Sequence, residues 1–251
     1  MRARAFAAML LTCLGGAAWP QGYAGLGMDA EGYGVVSPNR VFDFPRDHLP
    51  HPEFRIEWWY VTANLEAEDG TPMGLQWTLF RQAMSPPGNT NEIGWRSPQI
   101  WMGHAAITTP EDHRVAESFA RGGIGQAGDE PDPFDAWIDD WSFRSTGGVD
   151  PLDKMKHSAR GDDYAYHLEL TAEGPLVLQG NEGYSVKSEA GQASHYYSQP
   201  FYEARGQLTI DGRQIEVTGN AWLDREWSSQ PLTEEQTGWD WFSLHLPGGE
   251  K

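Results

Sequence analysis

Apolar and polar residues alternate along much of this chain, the period-two signature of strands with one buried face. Arg55 to Leu65 and Met73 to Arg81 are β-rich runs flanking Glu68-Asp69-Gly70, a glycine-containing hairpin signal. Trp101 to Thr108, Trp137 to Arg144, Tyr164 to Leu170 and Leu176 to Leu178 read as further strands. Gly206 to Ile210 and Arg213 to Asp224 flank Asp211-Gly212, the clearest two-residue turn, because Asp-Gly supplies the positive φ angles such a turn needs. Residues 84–98 and 121–135 read as long loops. No segment carries the periodicity of an amphipathic helix of three turns or more, and no fixed-period repeat is present. The pattern predicts an all-β protein.

The ends of the chain break this pattern. Arg2 and Arg4, the apolar run Ala5 to Leu14 and the small residues Gly16-Ala17-Ala18 predict a cleavable signal peptide over residues 1–18, hence a secreted or periplasmic protein. The run is too short to span a bilayer core, which takes about 20 residues. Cys13 gives a poorer fit to a lipoprotein attachment site; with cleavage near Ala18 the mature chain has no cysteine, disulfide or thiol nucleophile. Residues 19–40 read as an extended leader. At the other end, the strand candidate Trp239 to Leu246 runs into Pro247-Gly248-Gly249 without a returning strand, so the natural protein is expected to continue past Lys251.

Composition narrows the function classes. The formal charge of −18 repels phosphate backbones and anionic membrane surfaces, which argues against nucleic-acid binding. Twelve Trp residues supply large apolar area for a core or a pocket.

Within a strand, Trp222 and Asp224 share a face with Asn220 and Glu226, while Ala221, Leu223, Arg225 and Trp227 take the other. His195 and Tyr197 share a face if their segment is extended. A carboxyl buried beside an indole is pushed toward its protonated form, which would make Asp224 a proton donor near neutral pH. The plainer alternative pairs Asp224 with Arg225, Arg205 or a backbone amide. Trp58 and Trp59 must point to opposite faces, one into the protein and one outward. Glu57, on an otherwise apolar face, reads first as a buried ion pair. His104 in Met102-Gly103-His104-Ala105-Ala106 reads either as a ligand-facing base or as a hydrogen-bonded structural histidine. Trp137-Ile138-Asp139-Asp140-Trp141 reads as core and rim. His48 and His51 have no obvious third metal ligand, and neither a Gly-x-Ser-x-Gly elbow nor a phosphate-cradling loop occurs, so no metal site is assigned.

Five ordered motifs resemble the AttH-like/carotenoid 1,2-hydratase (CrtC) family: Glu57-Trp58-Trp59-Tyr60, Gly103-His104-Ala105-Ala106, Trp137-Ile138-Asp139-Asp140-Trp141, Tyr196-Tyr197-Ser198-Gln199-Pro200 and Gly219-Asn220-Ala221-Trp222-Leu223-Asp224-Arg225-Glu226-Trp227. The likeness runs from about Val41 to the end of the chain. It implies two lipocalin-like antiparallel β-barrels, residues 41–236 forming the first and 237–251 only the start of the second. In the hydratase branch, water adds to a tertiary C=C without a cofactor, which takes an acid, a base and aromatic faces around a carbocation. The matching positions are Asp224 as acid, His195 as base or orienter, and Tyr197 and Trp222 as aromatic walls. The hydratase has Trp in place of Tyr197, Tyr in place of Trp222, and His-Asn in place of Arg225-Glu226. Glu57, Trp59, Tyr60, Trp77, His104, Trp141 and Glu226 are the candidates for ligand contact. Two functions follow: acid-catalysed hydratase or hydrolase action on an apolar, lipid- or isoprenoid-like molecule, or non-catalytic carriage of such a molecule, with an ABC-type transporter as partner. Both place the molecule in an aromatic-lined barrel pocket on which residues 195, 197, 222 and 224 converge.

Overall fold

The computed structural model describes residues 30–88, 94–189, 191–230, 241–246 and 248; the expected signal peptide and Cys13 lie outside the described residues. Thirteen strands follow in chain order: β1 (Ile56–Ala67), β2 (Pro72–Ala83), β3 (Gln99–Thr108), β4 (His113–Arg121), β5 (Ala127–Pro131), β6 (Phe134–Ile138), β7 (Trp141–Gly147), β8 (Lys154–Arg160), β9 (Tyr164–Ala172), β10 (Val177–Leu178), β11 (Tyr184–Val186), β12 (Ala193–Ile210) and β13 (Arg213–Ser228). They form one antiparallel sheet in the order β4-β3-β2-β1-β13-β12-β9-β8-β7-β6-β5, with β10 and β11 pairing to β12. The sheet curls until β6 touches β2, β3 and β4, a nearly closed barrel whose end strands, β4 and β5, are not paired with each other. Gly103 allows this closure, since a Cβ there would lie 2.8 Å from Ile138 Cγ2 and 2.9 Å from Trp141 Cζ3.

Strand periodicity explains the interior. Along β1, Glu57, Trp59, Val61, Ala63 and Leu65 point inward and their neighbours outward. Trp59 is buried and Trp58 half-buried, the two-faced arrangement expected of adjacent indoles. Asp211 and Gly212, at φ 51° and 77°, make the predicted β12–β13 turn. The expected loop over 121–135 instead contains β5 and the start of β6, and the expected strand Trp137–Arg144 is a hairpin. Asp139, at φ 53°, turns the chain so that Ile138 pairs with Trp141. Strands β4 and β8 carry many charged residues on their outer faces, which hid them from a reading based on apolar runs. Residues 241–246 of the expected last strand are not paired into the sheet.

Side chains fill the lumen. Trp59, Trp77, Tyr166, Tyr202, Phe134, Phe143, Leu79 and Ile107 are each less than 2% exposed. One end is sealed by residues 36–54, and the seal centres on Glu57. Its carboxylate accepts from the His51 backbone N–H at 3.0 Å, from Arg225 Nη2 at 2.5 Å and from Arg81 Nε. Arg81 also donates to the carbonyls of His51 and Phe54 at 2.9 and 2.8 Å, tying the seal to β2. Burial alone would raise the Glu57 pKa, but Arg81, Arg225 and His51 outweigh it and hold the carboxyl well below its usual range. The buried ion pair read from the sequence is thus a cluster of Glu57 with two cations, Arg81 and Arg225. Beside it, Asp47 is brought down to about 2: burial opposes this, while His51, the Asp43 amide and Arg40 more than compensate.

Candidate functional site

The register of β12 against β13 sorts the predicted catalytic residues. His195 pairs with Trp227 and Tyr197 with Arg225, on the inward face; Ser198 pairs with Asp224 and Tyr196 with Glu226, on the outward face. A bulge between Gln199 and Tyr202 then inserts one extra residue, so that Pro200 and Phe201 leave the ladder. The expected convergence of residues 195, 197, 222 and 224 on one hollow is therefore corrected. Trp222 and Asp224 stay together, and the other two lie across the sheet.

Outside the barrel, Asp224 is 1% exposed. Its Oδ1 accepts from Ser198 Oγ at 2.5 Å, Tyr196 Oη at 2.7 Å and Trp222 Nε1 at 2.8 Å. Its Oδ2 is buried without a hydrogen-bond partner among the described residues. Burial pushes the Asp224 pKa up; the three donors oppose this and Glu226 adds to it, leaving about 6. Arg225 points inward to Glu57 and Arg205 pairs with Glu169, so neither takes the plainer pairing with Asp224. Tyr60, opposite Asp224 on β1, is raised to about 12 by burial and by that carboxyl.

Residues 241–246 lie over this face with alternating contacts. Trp241 packs its ring 4.9 Å from Tyr60 and donates to Tyr196 Oη at 3.2 Å. Ser243 meets Thr62 at 3.3 Å, and His245 Nε2 donates to the Pro200 carbonyl at 3.1 Å. Phe242 and Leu244 overhang a cleft of about 450 Å³, whose other walls are Val177, Gln179, Tyr196, Pro200, Phe201 and Trp222. Tyr196 and Trp222 thus touch both the cleft and the acid. The lumen, where a pocket was expected, is filled by side chains, and the cleft beside Asp224 lies on the outer surface. Sequence reading missed Tyr196 and Ser198 as partners of the acid, and Gln179 as the partner of Ser198, since cross-strand register is not encoded in the spacing of any one motif.

The other candidates separate by face. Trp59, Trp77 and Trp141 are core residues, and Glu57 is committed to its cations, so none of the four presents a group to a ligand outside the barrel. Tyr60, His104 and Glu226 are on the outer face. His104 lies near Glu117 at 3.6 Å, and burial lowers its pKa despite that carboxylate. Glu226 bonds Ser194 and Lys187, the latter at 2.7 Å. Inside, Tyr197 Oη lies 2.6 Å from His48 Nδ1, whose Nε2 is 3.0 Å from Asp150. His195, packed between Phe42, Phe54 and Trp227, is lowered to about 4, by burial first and then by Arg40 and His51. Among the described residues, no group of three or more His, Cys, Asp or Glu side chains is placed to hold a metal ion.

Comparison with known proteins places this architecture. The AttH-like family matches residues 35–251. The chain belongs to the AttH-like family. Among solved structures, an AttH-like protein from Nitrosomonas europaea matches with a TM-score of 0.73 and 36% identity, covering 86% of this chain and 64% of that one. This AttH-like chain therefore spans about 64% of that relative's length. Kievitone hydratase from Nectria haematococca matches with a TM-score of 0.53 and 14% identity, covering 78% of this chain and 55% of that one; at this identity the shared property is the fold. None of the curated proteins compared with the chain matches it.

Proposed function

We propose that this AttH-like chain binds an apolar, lipid- or isoprenoid-like molecule in the outer cleft, and that Asp224 acts on it as a general acid in a cofactor-independent hydration or hydrolysis. The observation that carries this reading is the asymmetry of Asp224, with three donors on Oδ1 and none on Oδ2, next to an aromatic cleft. Donors on one oxygen favour a proton on the other, and a pKa of about 6 keeps part of the population protonated near neutral pH. For hydration, the Oδ2 proton bonds to one alkene carbon through the π pair, leaving a tertiary cation faced by the Trp222 indole. A water oxygen then bonds to the cation, and one water proton returns to the Asp224 carboxylate. His195, across the sheet, has no part in this sequence.

Export, expected from Arg2, Arg4 and the apolar run after them, belongs to the same proposal, as does delivery to or from an ABC-type transporter. The test starts from full-length protein isolated from its native source and extracted with organic solvent to identify the bound molecule. Incubated with that molecule in isotopically labelled water, wild type incorporates label into the product, while Asp224→Asn binds without turnover. Recovery of the molecule unchanged from both proteins would instead make the chain a carrier.

A further inference from the structure

Hydrogen counting around Asp224 fixes the orientation of a residue that no motif singled out. Ser198 Oγ gives its single hydrogen to Asp224 Oδ1 at 2.5 Å. It can therefore only accept from the Gln179 side chain, 2.9 Å away. The Gln179 amide must turn its NH2 to Ser198, which leaves Oε1 as an acceptor with no hydrogen-bond partner among the described residues. Its backbone is pinned as well: the Gln179 N–H donates to the Tyr196 carbonyl at 3.0 Å, and the Gln179 carbonyl accepts from the Gly183 N–H at 2.9 Å. Gln179 lines the cleft, whose other walls are apolar apart from Tyr196. The Tyr196 hydroxyl already gives its hydrogen to Asp224 and accepts from Trp241. Among the side chains that line the cleft, Gln179 Oε1 is thus an acceptor left for a ligand, beside the unpartnered Oδ2 of Asp224 behind it.

We infer that Gln179 is the specificity-determining residue of the cleft, and that the cleft selects an apolar alcohol whose hydroxyl donates to Gln179 Oε1. The inference rests on the apolar-cleft part of the proposed function and not on acid catalysis at Asp224. The ligand class is a hydrocarbon chain bearing a hydroxyl, of which geraniol is a probe. A chain with an ether in place of the hydroxyl would bury the same apolar surface and leave Oε1 unsatisfied, a loss of about tenfold in affinity.

The test compares geraniol with geranyl methyl ether, binding to the full-length protein being followed by quenching of tryptophan fluorescence. Wild type should bind the alcohol about tenfold more tightly than the ether, and Gln179→Met, which keeps the length of the side chain, should bind the two alike. Equal binding of both by wild type would overturn the role of Gln179 while leaving the apolar cleft standing. Binding of neither would overturn the inference and the apolar-cleft reading together. A preference for the alcohol that survives in Gln179→Met would also overturn the role of Gln179, assigning it to the unpartnered Asp224 Oδ2, and Gln179→Leu gives the same readout if Gln179→Met fails to fold.

Discussion

Ser198 and Asp224 face one another across the β12–β13 ladder, and the Ser198 hydroxyl donates to Asp224 Oδ1 at 2.5 Å. That bond favours the ionised carboxylate, as do those from Tyr196 and Trp222, and so works against burial. Ser198→Ala should therefore move the Asp224 pKa above its present value of about 6. An activity that needs the protonated acid should then persist to higher pH, read as an alkaline shift of the falling limb of the pH–rate profile. Loss of the hydrogen bond should also lower stability by about 1 kcal/mol, measured by urea unfolding.

Asp224 carries a stability cost with a definite sign. Its folded pKa of about 6 exceeds the ordinary 3.8, so the folded state holds the proton longer than the unfolded one. Stability consequently falls as pH rises from the ordinary value to the folded one, and levels off above it. Asp224→Asn cannot ionise and should escape this cost. Its free energy of unfolding should match wild type near pH 4 and exceed it near pH 8, by on the order of 3 kcal/mol at most. Loss of turnover together with a gain in stability would mark a site at which folding has been traded for chemistry.

Glu57 is the opposite kind of carboxylate, ionised and essential to packing. Glu57→Gln leaves Arg81 and Arg225 buried without a counter-charge. The expected loss is about 3–5 kcal/mol in chemical denaturation. Retention of wild-type stability would show that the seal over residues 36–54 does not depend on this cluster.

His157 and His195 are buried as neutral imidazoles, each lowered to about 4, by burial first. Between the unfolded value of 6.5 and that folded value, the unfolded chain takes up protons that the folded chain refuses, so stability is lost as pH falls through this window. His157→Gln and His195→Gln should each flatten the slope of stability against pH by about one proton. The comparison is clearest in the Asp224→Asn background, because Asp224 titrates with the opposite sign over an overlapping range.

Periodicity made much of the barrel legible. The faces of Trp58 and Trp59 and the split of Trp222 and Asp224 from Leu223 and Arg225 follow from alternation alone, and the Asp211-Gly212 turn follows from its residue types. Strands β4, β5 and β8 did not, because charged outer faces and glycine-rich sequence mimic loops. Asp224 stood out as an acid beside an indole, but the partners of that acid come from β12. Only the pairing of Ser198 with Asp224 reveals that Tyr196, rather than Tyr197, shares its face. Gln179 was invisible for the same reason, being placed through its hydrogen bond to Ser198.

The direct test is a nuclear magnetic resonance titration of the Asp224 side-chain carboxyl, assigned by its disappearance in Asp224→Asn. A midpoint near 6 is the predicted result, since a buried carboxyl with one unpartnered oxygen should stay protonated well above the ordinary range. A midpoint near 4 would contradict the role of Asp224 as an acid and leave the cleft as a place for binding alone.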